Sequence, residues 1–234
     1  MKKYIGINQR IPFHVIKTGI QLLLDGEMDD EYIKEQLRLD YTGENRISKG
    51  LNCVNKVLIN NPLAELLPNE KPMLKNIINS KIDLQAISIA LLCTAYPLAF
   101  EIVCEMGSIF KVQNLVSTQV IMKKMSSIYG SNRVTVNGFY SIIPLLLELE
   151  IFVRPKQGLY EFIEKRVLSN PLAKELFILA YLLSNNKKYI GLDELFQTPW
   201  FYYFDFYDIE NELKHFKYIA ISTDSTGNTI LERI

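Results

Sequence analysis

Apolar residues recur three and four positions apart through the first half of the chain, the spacing of a helix with one buried face. Phe13, Ile16, Ile20 and Leu23 or Leu24 keep that rhythm and Gly26 follows as a C-cap, which predicts a short first helix. Asp29 or Asp30 can cap a second, with Ile33 and Leu37 four apart. Thr42 or Gly43 opens a third in which Ile47, Leu51, Val54 and Leu58 share a side, and Asn61-Pro62 ends it. Short helical pieces are expected over 62–67 and 73–79. Asp83 then stands where a cap would start the most hydrophobic helix, running towards Glu105 with Gly107 behind it. Pro97 lies inside that pattern and removes a backbone donor, so a kink or break is expected near Thr94 to Tyr96. Lys111 to Tyr129 reads as one or two further helices.

The pattern changes after Asn132. Asn137 is a plausible N-cap, Phe139, Ile142, Ile143, Leu146 and Leu147 form an apolar face, and Ile151-Phe152-Val153 shifts to strand character. Arg154-Pro155-Lys156-Gln157-Gly158 reads as a turn and Leu159 to Phe162 as the return strand. Helix, turn, helix and a two-stranded ribbon is the winged-helix order. It recurs: Asn170-Pro171 starts a helix with Leu172, Leu176, Leu179 and Leu183 on it, and Leu192 to Phe196 follows. Thr198-Pro199 starts another short helix, Asp208 can cap one over Ile209 to Lys217, and Tyr218–Thr223 with Thr229–Arg233 forms a hairpin around 224–228. The expected architecture is mostly α. An N-terminal helical bundle (1–110) precedes a basic winged-helix-like unit (111–166) and an aromatic, acidic winged-helix-like unit (167–234), each unit with a short β-hairpin.

Composition narrows the functions. With 48% hydrophobic and 22% charged residues over 234 positions, the chain can bury a core and is neither disordered nor a disulfide scaffold. Cys53, Cys93 and Cys104 lie in apolar helical patterns without Cys-x-x-Cys spacing, far from His14 and His215, so no metal site is expected. The odd thiol count and the lack of a cleavable signal sequence point to the reducing cytoplasm. The longest uncharged stretch, Leu84 to Phe100, is interrupted by Gln85, Ser88, Thr94 and Pro97 and falls short of the roughly 20 apolar residues that span a bilayer, so it is expected to be a core helix and not a membrane anchor. No Gly-rich phosphate loop, His-Glu-x-x-His or nucleophile elbow is present, and Asp29-Asp30-Glu31 suits a helix N-terminus. The expectation is a non-enzymatic chain without cofactor or small-molecule substrate.

Net charge is zero, but its distribution is uneven. Lys111 to Arg166 carries eight bases and four acids, whereas Val167 to Ile234 is net acidic by three. Arg46, Lys49 and Lys56 step with Cys53 around one side of the third helix, and Lys123, Lys124, Arg133, Arg154 and Lys156 cluster on the first winged-helix-like unit. Each group reads either as a solvated face or as a set of phosphate contacts. Asn137 to Leu149 contains no Lys or Arg, and only Asn137, Tyr140 and Ser141 could hydrogen-bond to bases, which favours contacts to phosphate and shape. Seven aromatics occupy the eight positions from Trp200 to Tyr207. They form either an exposed partner surface, through Trp200, Phe201 and Tyr203, or a plug between parts of the same chain.

The helix Phe13-His14-Val15-Ile16-Lys17, the basic helix Glu44-Asn45-Arg46-Ile47-Ser48-Lys49-Gly50-Leu51, the apolar helix from Leu84, a basic stretch and Leu145 to Phe152 follow one another in an order that resembles the BrxA family. These are small helical proteins encoded in bacteriophage-exclusion (BREX) defence clusters, and the likeness extends over most of Phe13 to Phe162. Zero net charge, and Lys49 and Lys56 where an arginine-richer helix is expected, set this chain apart. The resemblance implies a cytoplasmic, non-enzymatic accessory protein that binds double-stranded DNA beside other defence-system proteins. The alternative is a protein–protein adaptor that uses the aromatic patch.

Overall fold

A proline and a glycine bracket the first helix in the computed structural model, which describes residues 4–234. Pro12 enters α1 (Phe13–Asp25) from an extended conformation. Gly26, at φ 76°, turns the chain out so that the N–H groups of Gly26 and Glu27 donate to the carbonyls of Leu23 and Leu22. Asp29 caps α2 (Asp30–Arg38) by accepting from the Glu31 N–H, and Gly43 precedes α3 (Glu44–Leu58). A 3-10 turn over Ala64–Glu70 leads into α4 (Lys71–Asn79).

The long apolar run forms two helices. Ser80, rather than Asp83, caps α5 (Lys81–Ala95), and Asp83 lies inside the first turn. Asp83 instead accepts the Ser169 and Asn170 N–H groups, at 3.0 and 3.2 Å, and so ties this helix to the distant start of α9 (Pro171–Ser184). Tyr96 is extended and Pro97 opens α6 (Pro97–Phe110), where a proline's missing N–H costs nothing. The break therefore falls where Pro97 placed it, while the second helix runs past Gly107. Both α5 and α9 are buried on nearly every side, and they pack on each other at the centre of one continuous core that extends from Ile5 to Leu231.

From α6 onward the order is β1 (Leu115–Ser117), α7 (Thr118–Tyr129), α8 (Arg133–Glu148), β2 (Val153–Lys156) and β3 (Leu159–Glu161). The middle strand is β3, antiparallel to β1 on one side and to β2 on the other, with Val116 opposite Tyr160 and Val153 opposite Glu161. Two expectations are corrected here. The cap of α8 is Asn132, whose side chain accepts from Val134 and Thr135 N–H, so the helix begins before Asn137 and takes Arg133 into its first turn. The segment Arg154 to Lys156 is strand, leaving Gln157-Gly158 as the turn, with Gly158 at φ 82°.

The remaining chain adds β4 (Arg166–Val167), α9, β5 (Tyr189–Gly191), α10 (Leu192–Gln197), a 3-10 segment Pro199–Tyr203, β6 (Phe204–Asp205), α11 (Ile209–Glu212), and the hairpin β7 (Ile219–Thr223) with β8 (Thr229–Arg233). Its sheet has the order β5-β8-β7, so in both halves the early strand lies on the last one and the hairpin's first strand forms the far edge. Whereas the sequence suggested one helix from Ile209 to Lys217, α11 is a single turn followed by 3-10 structure. Asp208, at φ 60°, makes no side-chain cap bond.

Residues Tyr4 to Pro12 strap the N-terminal helices to α8. Ile5, Ile7 and Ile11 are buried, Arg10 pairs with both Asp40 and Glu148, and Glu148 also accepts the Phe13 N–H at 2.7 Å. The approach is close enough to require a glycine, since a Cβ at Gly138 would lie 2.7 Å from Ile5 and 2.8 Å from Leu98.

Candidate nucleic-acid interface

Five residues in the first two turns of α8 face outward: Arg133, Val134, Val136, Asn137 and Tyr140. At 100° per residue they fall within an arc of about 160°, while Phe139, Ile142, Ile143 and Leu146 bury the opposite side. Beside them α7 exposes Gln119, Val120, Lys123, Lys124 and Ser127, and β2 with its turn exposes every residue from Val153 to Gln157. The cations of the second group come from three elements: Lys123 and Lys124 from α7, Arg133 from the start of α8, which packs on α7, and Arg154 and Lys156 from β2, which joins α7 through β3 and β1. Lys124 is only loosely paired, with Nζ 3.9 Å from a Glu105 oxygen, and at such exposure that attraction is worth little. Arg154 is oriented by Tyr160, to whose hydroxyl its Nη2 donates at 3.2 Å. Ser141 is not on this face. It is buried, and its hydroxyl donates to the Asn137 carbonyl at 2.8 Å.

The first cation group does not survive as a three-residue face. Arg46 and Lys49 are exposed, but Cys53 is buried and Lys56 is drawn under the N-terminal strap. Its ammonium lies 4.4 Å from the centre of the Tyr4 ring and 4.8 Å from that of Tyr96, and burial lowers its pKa. The strap accounts for the difference, because it covers a side of α3 that helical spacing alone leaves open.

Of the two readings of the aromatic run, burial favours the plug. Trp200, Phe201 and Tyr203 are all buried, so none of them is a partner surface in this chain. Trp200 stacks on Phe177 of α9 at 4.5 Å between centroids, meets Phe100 of α6 at 5.1 Å, and donates its indole N–H to the Phe177 carbonyl. Tyr203 donates to the Val103 carbonyl at 2.7 Å and Tyr202 to that of Phe110 at 2.8 Å. The segment is a plug wedged between α6 and α9, and of its seven rings only Tyr207, 73% exposed, reaches well into solvent.

Sequence reasoning passed over several buried charges. Lys174 and Glu175 sit in the all-apolar α9, where a helix buried on every side has nowhere to expose them; that charged pair inside an apolar run was the available signal. Lys174 reaches the Tyr207 carbonyl and Glu212, at 2.6 and 2.7 Å. Glu175 accepts the N–H groups of Lys217 and Tyr218, both at 2.6 Å, and desolvation raises its pKa despite those bonds. Glu70 takes the Lys217 ammonium and the Tyr218 hydroxyl. Glu70, Glu175 and Lys217 border a cleft of about 480 Å³ with Met73, Asn76 and His215, but their polar atoms are engaged in fastening the chain before β7 to α9 and to the 3-10 segment that ends at Glu70.

Burial raises the pKa values of Cys93 and Cys104, so both stay as thiols. Among the described residues no three His, Cys, Asp or Glu side chains gather as a metal site. No helix among them is long and apolar enough to cross a membrane. The C-terminal segment differs in charge from 111–166: Asp193, Asp205, Asp208 and Glu210 are exposed around α10 and α11. No family model, curated protein or solved structure matches this chain.

Proposed function

We propose that this chain is a non-enzymatic, cytoplasmic accessory protein of a BREX-type bacteriophage-defence system that binds double-stranded DNA, holding it mainly by phosphate and shape contacts. The reading rests on one observation. Helix, strand, helix, helix and hairpin, with the early strand paired to the last, is the order we read as winged-helix-like, and over 111–166 it carries exposed cations from α7, the start of α8 and the hairpin on a chain of zero net charge. The second unit repeats the arrangement with acids on its outer elements, which would repel phosphate, and its rings are used to pack on α6. It serves as a support for the first unit and as the place where another defence protein would dock. An adaptor working through Trp200, Phe201 and Tyr203 is disfavoured by their burial.

Replacing Lys123, Lys124 and Lys156 by Gln leaves the apolar face untouched and tests the reading directly. Duplex affinity is expected to fall to a similar extent on unrelated sequences, and the slope of log affinity against log salt to drop by about 1 for each phosphate no longer neutralised. Arg46 and Lys49 replaced by Gln form the comparison set. Unchanged affinity at low salt for both variants would leave duplex binding without a surface.

A further inference from the structure

We infer that α8 adds base reading to this binding, and that the bases it reads are A·T pairs in the major groove, recognised through thymine methyl groups by Val134 and Val136 and through the adenine edge by Asn137. The inference rests on the proposed duplex binding and names the DNA that this surface favours. In a winged-helix unit the N-terminal half of the third helix is the part that can enter the groove. In this chain that half presents an unusual set of side chains: Val134 is 59% exposed, Val136 36% and Tyr140 54%, with Asn137 between them. Val134 borders a groove with Tyr4, Ile5 and Tyr129, and the Tyr140 ring meets Phe139 edge-on, yet both stay more than half exposed because the opposite side of α8 already supplies its buried face.

Base chemistry decides between the possible readings. Guanine presents two acceptors in the major groove and is read by Arg or Lys, whereas adenine offers an acceptor and a donor that match one carboxamide, and thymine offers a methyl group. The exposed arc holds a single long cation, Arg133, at the first helical position beside the Asn132 cap, where it can also reach a phosphate. It holds no lysine and no carboxylate, so the side chains that pair best with guanine and with cytosine are, Arg133 apart, missing from it. Asn137 lies near its middle, with Tyr140 and Arg133 beside it and a valine at each edge, and Ser141, the third candidate, is spent on the helix backbone. Lys123 and Lys124 of α7, which packs on α8, and Arg154 and Lys156 of the hairpin are exposed as well, and with Arg133 they supply the charge that brings this otherwise neutral reading surface against the duplex.

The test compares three 20-base-pair duplexes at one salt concentration by fluorescence anisotropy: a mixed-order A·T sequence without runs of adenine, the same sequence with uracil for thymine, and a G·C sequence. The A·T duplex is expected to bind about tenfold more tightly than the G·C duplex, the size of one good base contact. Uracil is expected to cost a few-fold. V134A with V136A should weaken binding to the thymine duplex and leave the uracil duplex unchanged, while N137A should shrink the A·T over G·C ratio. All three positions are exposed, and an unchanged melting midpoint would confirm that the variants fold. Equal affinity for the three duplexes with a normal salt slope would overturn the inference and leave duplex binding standing. An A·T preference that survives both uracil and N137A would place the reading in shape or the minor groove and overturn it as well, as would a G·C preference lost on R133Q. No binding to any duplex at low salt would refute the underlying function instead.

Discussion

Gly107 gives the sharpest test of how the aromatic segment is held, because substituting it has opposite expected signs depending on whether that segment packs on α6. In a free helix, Gly to Ala stabilises by about 1 kcal/mol through propensity. Here a Cβ at position 107 would lie 2.3 Å from the Pro199 carbonyl oxygen and 3.1 Å from its carbon. The obstructing atoms are backbone, and the 3-10 segment that carries them is pinned on both sides by the Tyr203 and Tyr202 hydroxyls on the carbonyls of α6. Overpacking of this kind costs about 1–3 kcal/mol, and an obstacle that cannot rotate away puts it at the upper end. The propensity gain offsets part of this, so G107A is expected to be destabilised by about 2 kcal/mol, a fall in melting midpoint of roughly 4–8 °C for a chain of this size. Urea titration followed by tryptophan fluorescence reports on the segment itself, since Trp200 is the chain's one tryptophan. Y203F is the companion variant: it removes the bond to Val103 without adding bulk and should cost about 1 kcal/mol. A midpoint for G107A equal to or above that of the parent chain would show that Pro199 does not rest on α6, and the plug assignment would fall with it.

W200A should destabilise by about 3–5 kcal/mol, since it empties a fully buried site and removes a stacked partner from Phe177; a well-folded W200A with an unshifted urea midpoint would return the ring to the surface. Glu175 makes stability depend on pH with a defined sign. Its folded pKa is raised by burial, so the folded chain holds that proton more tightly than the unfolded one, and the resulting stabilisation is complete below the unfolded value near 4.3 and lost as pH rises through the folded value. E175Q can still accept from the Lys217 and Tyr218 N–H groups, so the parent chain should lose stability relative to E175Q as pH rises from about 4 to 7. Parallel urea midpoints across that range would show that Glu175 does not titrate as its burial requires.

The amino-acid sequence by itself determined where several of the helices begin or end. Gly26, Asp29, Pro97 and Asn170-Pro171 act within a turn or two of backbone, so their effect needs no distant partner, and the apolar spacing between them assigned the buried faces. It also carried the repeated helix-to-hairpin order, because the change from helical to strand rhythm after Leu147 and again after Lys217 is local. Where two local signals competed, tertiary contacts chose between them. Asp83 gave up the cap to Ser80 because Ser169 and Asn170 claim its oxygens; the start of α8 is the exception, a local contest that Asn132 won over Asn137 by accepting the Val134 and Thr135 N–H groups.

What tertiary structure alone decided was which residues of a face reach solvent. Helical spacing put Lys56 beside Arg46 and Lys49, yet the strap from Tyr4 to Pro12, far from it in sequence, covers Lys56 with the Tyr4 ring. The same kind of long-range packing sank Trp200, Phe201 and Tyr203 between α6 and α9, and buried Lys174 and Glu175 in a helix surrounded on all sides. Periodicity records the direction in which a side chain points from its own helix. Whether another segment waits in that direction depends on contacts between residues a hundred or more positions apart, as between Tyr203 and Val103, and these are set only when the core closes.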